Sequence, residues 1–159
     1  MTTVAEKKSS KAGDQVIAAL QKAYSMEIET VANYLADSVN LDGVRAEEVK
    51  KSLAEDVQEE LGHAQRLAQR IKQLGGWVPG PKEIEITHSH LDANSKSTDV
   101  KEVIRGVIED ERAAIDHYKQ IIRATDGEDY VTQDLCISLL ADEEEHVTQF
   151  EGFMKEYTS

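Results

Sequence analysis

Four stretches of this chain repeat apolar residues every three or four positions, and each stretch sets a glutamate into its apolar row. In the first, Val16, Leu20, Ala23, Glu27, Val31 and Tyr34 fall on one face of a helix. The second runs Val49, Leu53, Val57, Glu60, Ala64, Leu67, Ile71 and Leu74. The third runs Val100, Ile104, Val107, Glu111, Ile115 or Ala114, Tyr118 and Ile122, and the fourth Leu135, Leu139, Glu143, His146, Phe150 and Phe153. Strand signals are nearly absent. An apolar stripe on a helix has to be covered, and four such helices cover one another, so the pattern predicts an all-α four-helix bundle.

The connections set the expected topology. The first helix is expected from Asp14, as N-cap, to about Asn40 before the LDG turn, and the second stops at Gly75-Gly76. The third follows Ser97 or Thr98, and the fourth follows the DGED turn at 126–129. Short links make helices one and two, and three and four, two antiparallel hairpins. Between them lies GGWVPGPKEIEITHSHLDANSKS, which at about 3.3 Å per extended residue reaches the length of a bundle and makes helices two and three parallel. Its Pro79, Ile84, Ile86 and Leu91 predict that it packs along the helices. Residues 1–13 are expected to be a flexible tail and residues 14–159 one domain.

Charge and cysteine content exclude several functions. Asp and Glu number 31 against 18 Lys and Arg, a formal net charge of −13. Phosphate binding needs clustered cations, so nucleic acid is not the expected main partner. Lys7, Lys8 and Lys11 in the tail read as a solvated end. An acidic surface concentrates cations or simply keeps the protein soluble. The single cysteine, Cys136, permits no internal disulfide and no CxxC metal site, and reads as core. No signal peptide and no apolar run of membrane-spanning length is evident, so a cytoplasmic protein that does not span a membrane is expected.

The chemistry lies where the stripes are interrupted. Four ionised carboxylates facing inward are too costly unless protonated or balanced by positive charge, and no Lys or Arg shares their stripe positions. Two divalent cations balance four carboxylates when the nearby histidines bind as neutral imidazoles. Residues three apart lie one helical turn along, so Glu60 with His63, and Glu143 with His146, can converge on one site. Residues seven apart are nearly eclipsed, which stacks Tyr34 above Glu27 and Tyr118 above Glu111. Glu27-x6-Tyr34 and Glu60-x2-His63 are thus repeated as Glu111-x6-Tyr118 and Glu143-x2-His146. A lone core histidine or tyrosine is usually packing, and Glu85-x2-His88 lies off any stripe; the joint twofold pattern is what matches a di-metal carboxylate bundle. Glu109 is an alternative to Glu111 but lies off the stripe. His90 and His117 have no comparable partners, and Glu47, Glu48, Glu59, Glu144 and Glu145 read as solvated faces.

These paired motifs, with ANYL in helix one, EELGHA in helix two and DYVTQDLCISLLADEEEHV leading into helix four, resemble the ferritin-like superfamily over residues 14 to 157. The likeness is greatest to bacterioferritins and bacterioferritin-like mini-ferritins. The resemblance implies that Glu60 and Glu143 bridge two irons, that Glu27 and Glu111 are terminal carboxylates, and that His63 and His146 each cap one iron. Tyr34 and Tyr118 would hydrogen-bond ligands from outside. It implies a ferroxidase that oxidises Fe(II) with dioxygen or hydrogen peroxide and stores Fe(III).

Two departures sharpen the comparison. Haem-binding bacterioferritins carry methionine directly after the helix-two glutamate; Leu61 stands there, so haem is not expected. The sequence ends soon after helix four, without the short fifth helix of 24-subunit shells, so a smaller homo-oligomeric cage, such as a dodecamer, is expected, with a simple dimer as the alternative. Three other readings remain. A rubrerythrin-like peroxide reductase shares the ligands but needs an electron-delivering cysteine module. A di-manganese catalase suits the same donors. A non-enzymatic acidic interaction protein predicts no metal dependence.

Overall fold

The computed structural model describes residues 11–87 and 96–158. Four long helices fill them: α1 Lys11–Asn40, α2 Glu47–Gln73, α3 Val100–Thr125 and α4 Tyr130–Met154, with single 3-10 turns at Val44–Ala46 and Lys155–Tyr157. The described residues contain no strand. The chain is the expected all-α four-helix bundle.

Local chemistry explains the helix ends. α1 begins a turn before the expected boundary, so Asp14 is not its N-cap and sits in the first turn, where its charge suits the positive end of the helix. Residues 11–13 are therefore helical, while Lys7 and Lys8 lie outside the described residues. The cap of α3 is Asp99, not Ser97 or Thr98, because its carboxylate reaches the Glu102 amide at 3.3 Å. Asp129 caps α4 in the same way through Thr132 N–H at 3.0 Å. Gly75 ends α2 with φ +86°, a conformation open to glycine. The next residue must be small as well: a Cβ on Gly76 would come within 2.7 Å of Ile17 Cγ2.

α1 pairs with α2 and α3 with α4, and the two hairpins meet mainly through α1 against α3. Contacts at both ends of the connecting segment set its direction. Gln21 Nε2 in the first half of α1 donates to the Trp77 carbonyl at 2.7 Å, and the Asp42 amide after α1 donates to the Ser97 carbonyl at 2.8 Å. The segment therefore starts beside the first half of α1 and ends beside its C-terminus, so α2 and α3 run parallel. Its attachment differs from the expected one. Pro79 and Ile84 are half-buried, but Ile86 is 69% exposed, and Leu91 lies outside the described residues. The described anchor is polar: the Thr87 amide donates to both carboxylate oxygens of Glu29, at 3.0 and 3.2 Å, and the Thr87 hydroxyl adds a third bond. Glu29 is buried on α1.

Two apolar clusters fill the bundle, one towards each end. One gathers Leu41, Leu53, Ile104, Val107 and Phe150. The other gathers Leu20, Leu67, Ile71, Ile121, Cys136 and Leu139. Cys136 is core as expected, and burial pushes its thiol up to about 12. Tyr34 belongs to the first cluster and Tyr118 to the second, and between the two clusters lie the carboxylates. No described helix is long and apolar enough to cross a membrane.

Candidate metal centre

The stripes deliver Glu27, Glu60, His63, Glu111, Glu143 and His146 to one buried place, each at most 4% exposed. Glu109, weighed as the alternative on α3, is exposed, as are Glu47, Glu48, Glu144 and Glu145. His117 is buried apart from this group, and its Nε2–H donates to the Ala19 carbonyl at 2.8 Å. His88 and His90 lie outside the described residues.

The geometry divides evenly between two imidazoles. His63 Nδ1 lies 3.1 Å from Glu60 Oε2, 3.2 Å from Glu143 Oε1 and 3.9 Å from Glu27 Oε2. His146 Nδ1 lies 3.0 Å from Glu60 Oε1, 3.2 Å from Glu143 Oε2 and 3.5 Å from Glu111 Oε1. Glu60 and Glu143 thus turn one oxygen to each ring, and the ring centroids stand 6.4 Å apart. Two overlapping groups result: Glu27, Glu60, His63 and Glu143, and Glu60, Glu111, Glu143 and His146.

Of these contacts only His63 Nδ1 with Glu60 Oε2 has hydrogen-bond geometry. Glu60 Oε1, both Glu143 carboxylate oxygens and His146 Nδ1 are buried without a hydrogen-bond partner, although Glu60 Oε1 and His146 Nδ1 are only 3.0 Å apart. The approach is close, but the alignment is wrong for a hydrogen bond. Buried polar atoms left in this way are costly unless an ion completes them. The donor set, carboxylate oxygen and imidazole nitrogen, suits divalent iron, manganese or zinc.

Burial and the crowding of charges shift the protons of the centre. Burial, with Glu60 close by, pushes Glu27 up to about 8. Burial likewise holds Glu111 well above the carboxylate range, against the lowering influence of His146. Burial also works to raise Glu60, but the imidazoles of His146 and His63 bring it below its usual value. Both histidines are raised, because facing carboxylates outweigh desolvation. Two imidazolium charges then face Glu60, while burial keeps the protons on Glu27 and Glu111.

The tyrosines reach across the bundle. Tyr34 donates its hydroxyl to Glu111, and Tyr118 donates to Glu27. Each serves the opposite hairpin, because a glutamate seven positions away on its own helix is about 10.5 Å along the axis. Burial and the facing carboxylates raise both phenols well above their usual value, so both hydroxyls stay donors.

Three carboxylates escape a reading of the stripes. Asp142 Oδ2 lies 3.3 Å from the outer nitrogen, Nε2, of His63. Glu59 Oε2 lies 3.4 Å from Nε2 of His146, and Asp56 Oδ1 lies 3.9 Å from it. Glu59, expected to be a solvated residue, is half exposed yet turns its carboxylate onto the ring. The repeat carries a signal for two of them: Glu59 and Asp142 each directly precede the glutamate of an E-x2-H motif.

Comparison with known proteins agrees with this architecture. The ferritin-like domain family matches residues 17–158. A DNA protection during starvation protein from Pyrococcus furiosus is 29% identical over 143 residues, 89% of this chain and 77% of the relative. A bacterioferritin from Desulfovibrio desulfuricans is 27% identical over 139 residues, 87% of this chain and 73% of the relative. Among solved structures, a dodecameric thioferritin, the bacterioferritin-related protein from Bacteroides fragilis, superposes with a TM-score of 0.82 at 28% identity, covering 91% of this chain and 87% of that one. With four helices, α2 and α3 parallel, and a family match over nearly its whole length, the chain belongs to the ferritin-like family.

Proposed function

We propose that this protein is a ferroxidase that oxidises Fe(II) and stores or detoxifies the Fe(III) product. The observation that carries the reading is that Glu60 and Glu143 each present one oxygen to each of two imidazoles. A carboxylate so placed bridges two ions. Glu27 and His63 complete one position, and Glu111 and His146 the other. Tyr118 and Tyr34 hold the two terminal carboxylates by their hydroxyls.

Two Fe(II) per subunit are the substrate, and together they supply two electrons. That takes dioxygen to hydrogen peroxide, or hydrogen peroxide to two waters, with uptake of two protons in either case. The protein binds the ions side by side, excludes water with the apolar clusters at both ends, and stabilises the extra positive charge of the oxidised pair with four carboxylates. Glu27, Glu111 and the two histidines release their protons as the ions enter. The relationship to bacterioferritin and to a dodecameric thioferritin supports a homo-oligomeric cage. Leu61 at the position of the haem-ligating methionine supports a centre that works without haem.

The test is anaerobic addition of Fe(II) to apoprotein, then air, followed by absorbance, with particle size read by light scattering. Two irons per subunit, rapid oxidation and large particles that retain many further irons are expected. Wild-type rates from a Glu60→Ala, His63→Ala variant would sink the reading. The donors also suit Mn(II), so faster peroxide disproportionation by manganese-loaded protein than iron oxidation by iron-loaded protein would favour a catalase.

A further inference from the structure

The two imidazoles of the centre each have a second nitrogen that points away from it. Nε2 of His63, on α2, lies 3.3 Å from Asp142 on α4. Nε2 of His146, on α4, lies 3.4 Å from Glu59 and 3.9 Å from Asp56, both on α2. The pairing is crossed. Within one helix the ordinary neighbour of Asp142 is four residues on, His146, and that of Glu59 is His63. The closest carboxylates at each outer nitrogen instead include one from the opposite hairpin, because the packing of α2 against α4 turns each side chain over the seam.

The chemical consequence concerns the tautomer. A neutral imidazole has one N–H, and an anion beside Nε2 keeps the proton there, which leaves the Nδ1 lone pair aimed at the centre. Such an outer carboxylate also fixes the ring plane and raises the basicity of the inner nitrogen. The arrangement recurs at equivalent repeat positions, one residue before each E-x2-H glutamate. The repeat is not perfectly symmetric: Asp56 adds a second carboxylate on the His146 side, and Glu59 stays within 4.8 Å of His63 and Asp142 as well. Asp142 is thus the simpler case to isolate, by its 3.3 Å approach to His63, while Glu59 meets His146 in hydrogen-bond geometry.

We infer that Asp142 is a positioning residue for His63, and Glu59 with Asp56 for His146, so that each hairpin orients the imidazole the other supplies. This rests on the di-metal reading above. Neither hairpin alone then presents a competent histidine, and the centre assembles only when α2 and α4 dock.

Anaerobic Co(II) titration of the full-length apoprotein tests this, with calorimetry giving the number and affinity of sites and visible absorption reporting their coordination. Asp142→Asn is expected to weaken one of two Co(II) sites ~10–100-fold, the usual cost of losing such a partner. The same substitution is expected to change nothing further in a His63→Ala background and to keep its full effect in a His146→Ala background. Asp142→Glu should recover most of the affinity, and Glu145→Gln, a nearby surface acid, should leave both sites as in wild type. Unchanged affinity in Asp142→Asn, or an equal loss in the His63→Ala background, overturns the inference while two-site binding by the wild type keeps the di-metal reading. A third Co(II) lost in Asp142→Asn with the first two intact also overturns it, since the carboxylate would then be holding a separate ion. Wild-type protein that takes up no Co(II) overturns the di-metal reading and the inference with it.

Discussion

Tyr34 on α1 donates its hydroxyl to Glu111 on α3, and not to Glu27 on its own helix. With its counterpart from Tyr118 to Glu27, this bond ties the two hairpins together at the centre of the bundle. Tyr34→Phe removes the donor and leaves a buried carboxyl oxygen without a partner, a loss of about 1–3 kcal/mol. Denaturant unfolding of the apoprotein is expected to show that loss. A Tyr34→Phe, Glu111→Ala double variant should be less destabilised than the sum of the single changes, and additivity would contradict the pairing.

The metal-free site is expected to favour low pH. Burial raises Glu27 from 4.5 to about 8, so its contribution to stability is complete below 4.5 and is lost as pH rises through about 8. His63 and His146 are raised too, so their contribution, complete below 6.5, is lost only at still higher pH. Asp56 and Asp37, both pushed up to about 6, act in the same direction between 3.8 and about 6. Metal binding displaces the protons held at the centre and so tightens as pH rises. Thermal midpoints of apo and Zn(II)-loaded protein should therefore diverge with increasing pH; parallel curves would contradict the assignment.

Glu111→Gln separates folding from metal binding. Burial keeps Glu111 neutral in the metal-free protein, and a neutral amide of the same shape replaces a neutral carboxyl. Apoprotein stability near neutral pH should change by less than about 1.5 kcal/mol, in the range of volume-conserving swaps. Zn(II) stoichiometry should fall from two per subunit to one, because an amide does not supply the anionic oxygen the ion requires. Calorimetric titration reads both sites.

Glu29 holds the crossover through Thr87. Glu29→Ala leaves the Thr87 amide without its acceptor and should cost about 1–3 kcal/mol. Hydrogen exchange at that amide should accelerate, while the affinity for Zn(II) stays near wild type. Slow exchange at Thr87 in the variant would show that the crossover is held elsewhere.

Much of this fold is legible along the chain because burial on a helix is a local property. The spacing of Val49, Leu53, Val57, Glu60, Ala64 and Leu67 defines one face whatever that face packs against, and all six are buried on α2. The same spacing separates buried Glu111 from exposed Glu109. Capping is also local, but the choice among Ser97, Thr98 and Asp99 turns on which side chain reaches an amide three residues on, and only Asp99 does so.

The sequence by itself determined the four helices, their hairpin order and the inward set of glutamates and histidines, since each follows from periodicity about one helix axis and from link lengths. The tertiary structure decided the partners. Tyr34 meets Glu111, Asp142 meets His63 and Glu59 meets His146 because neighbouring helices pack at a particular rotation and axial offset. Periodicity gives an angle about one axis and carries no measure of that offset, so contacts between the hairpins appear only once both are docked.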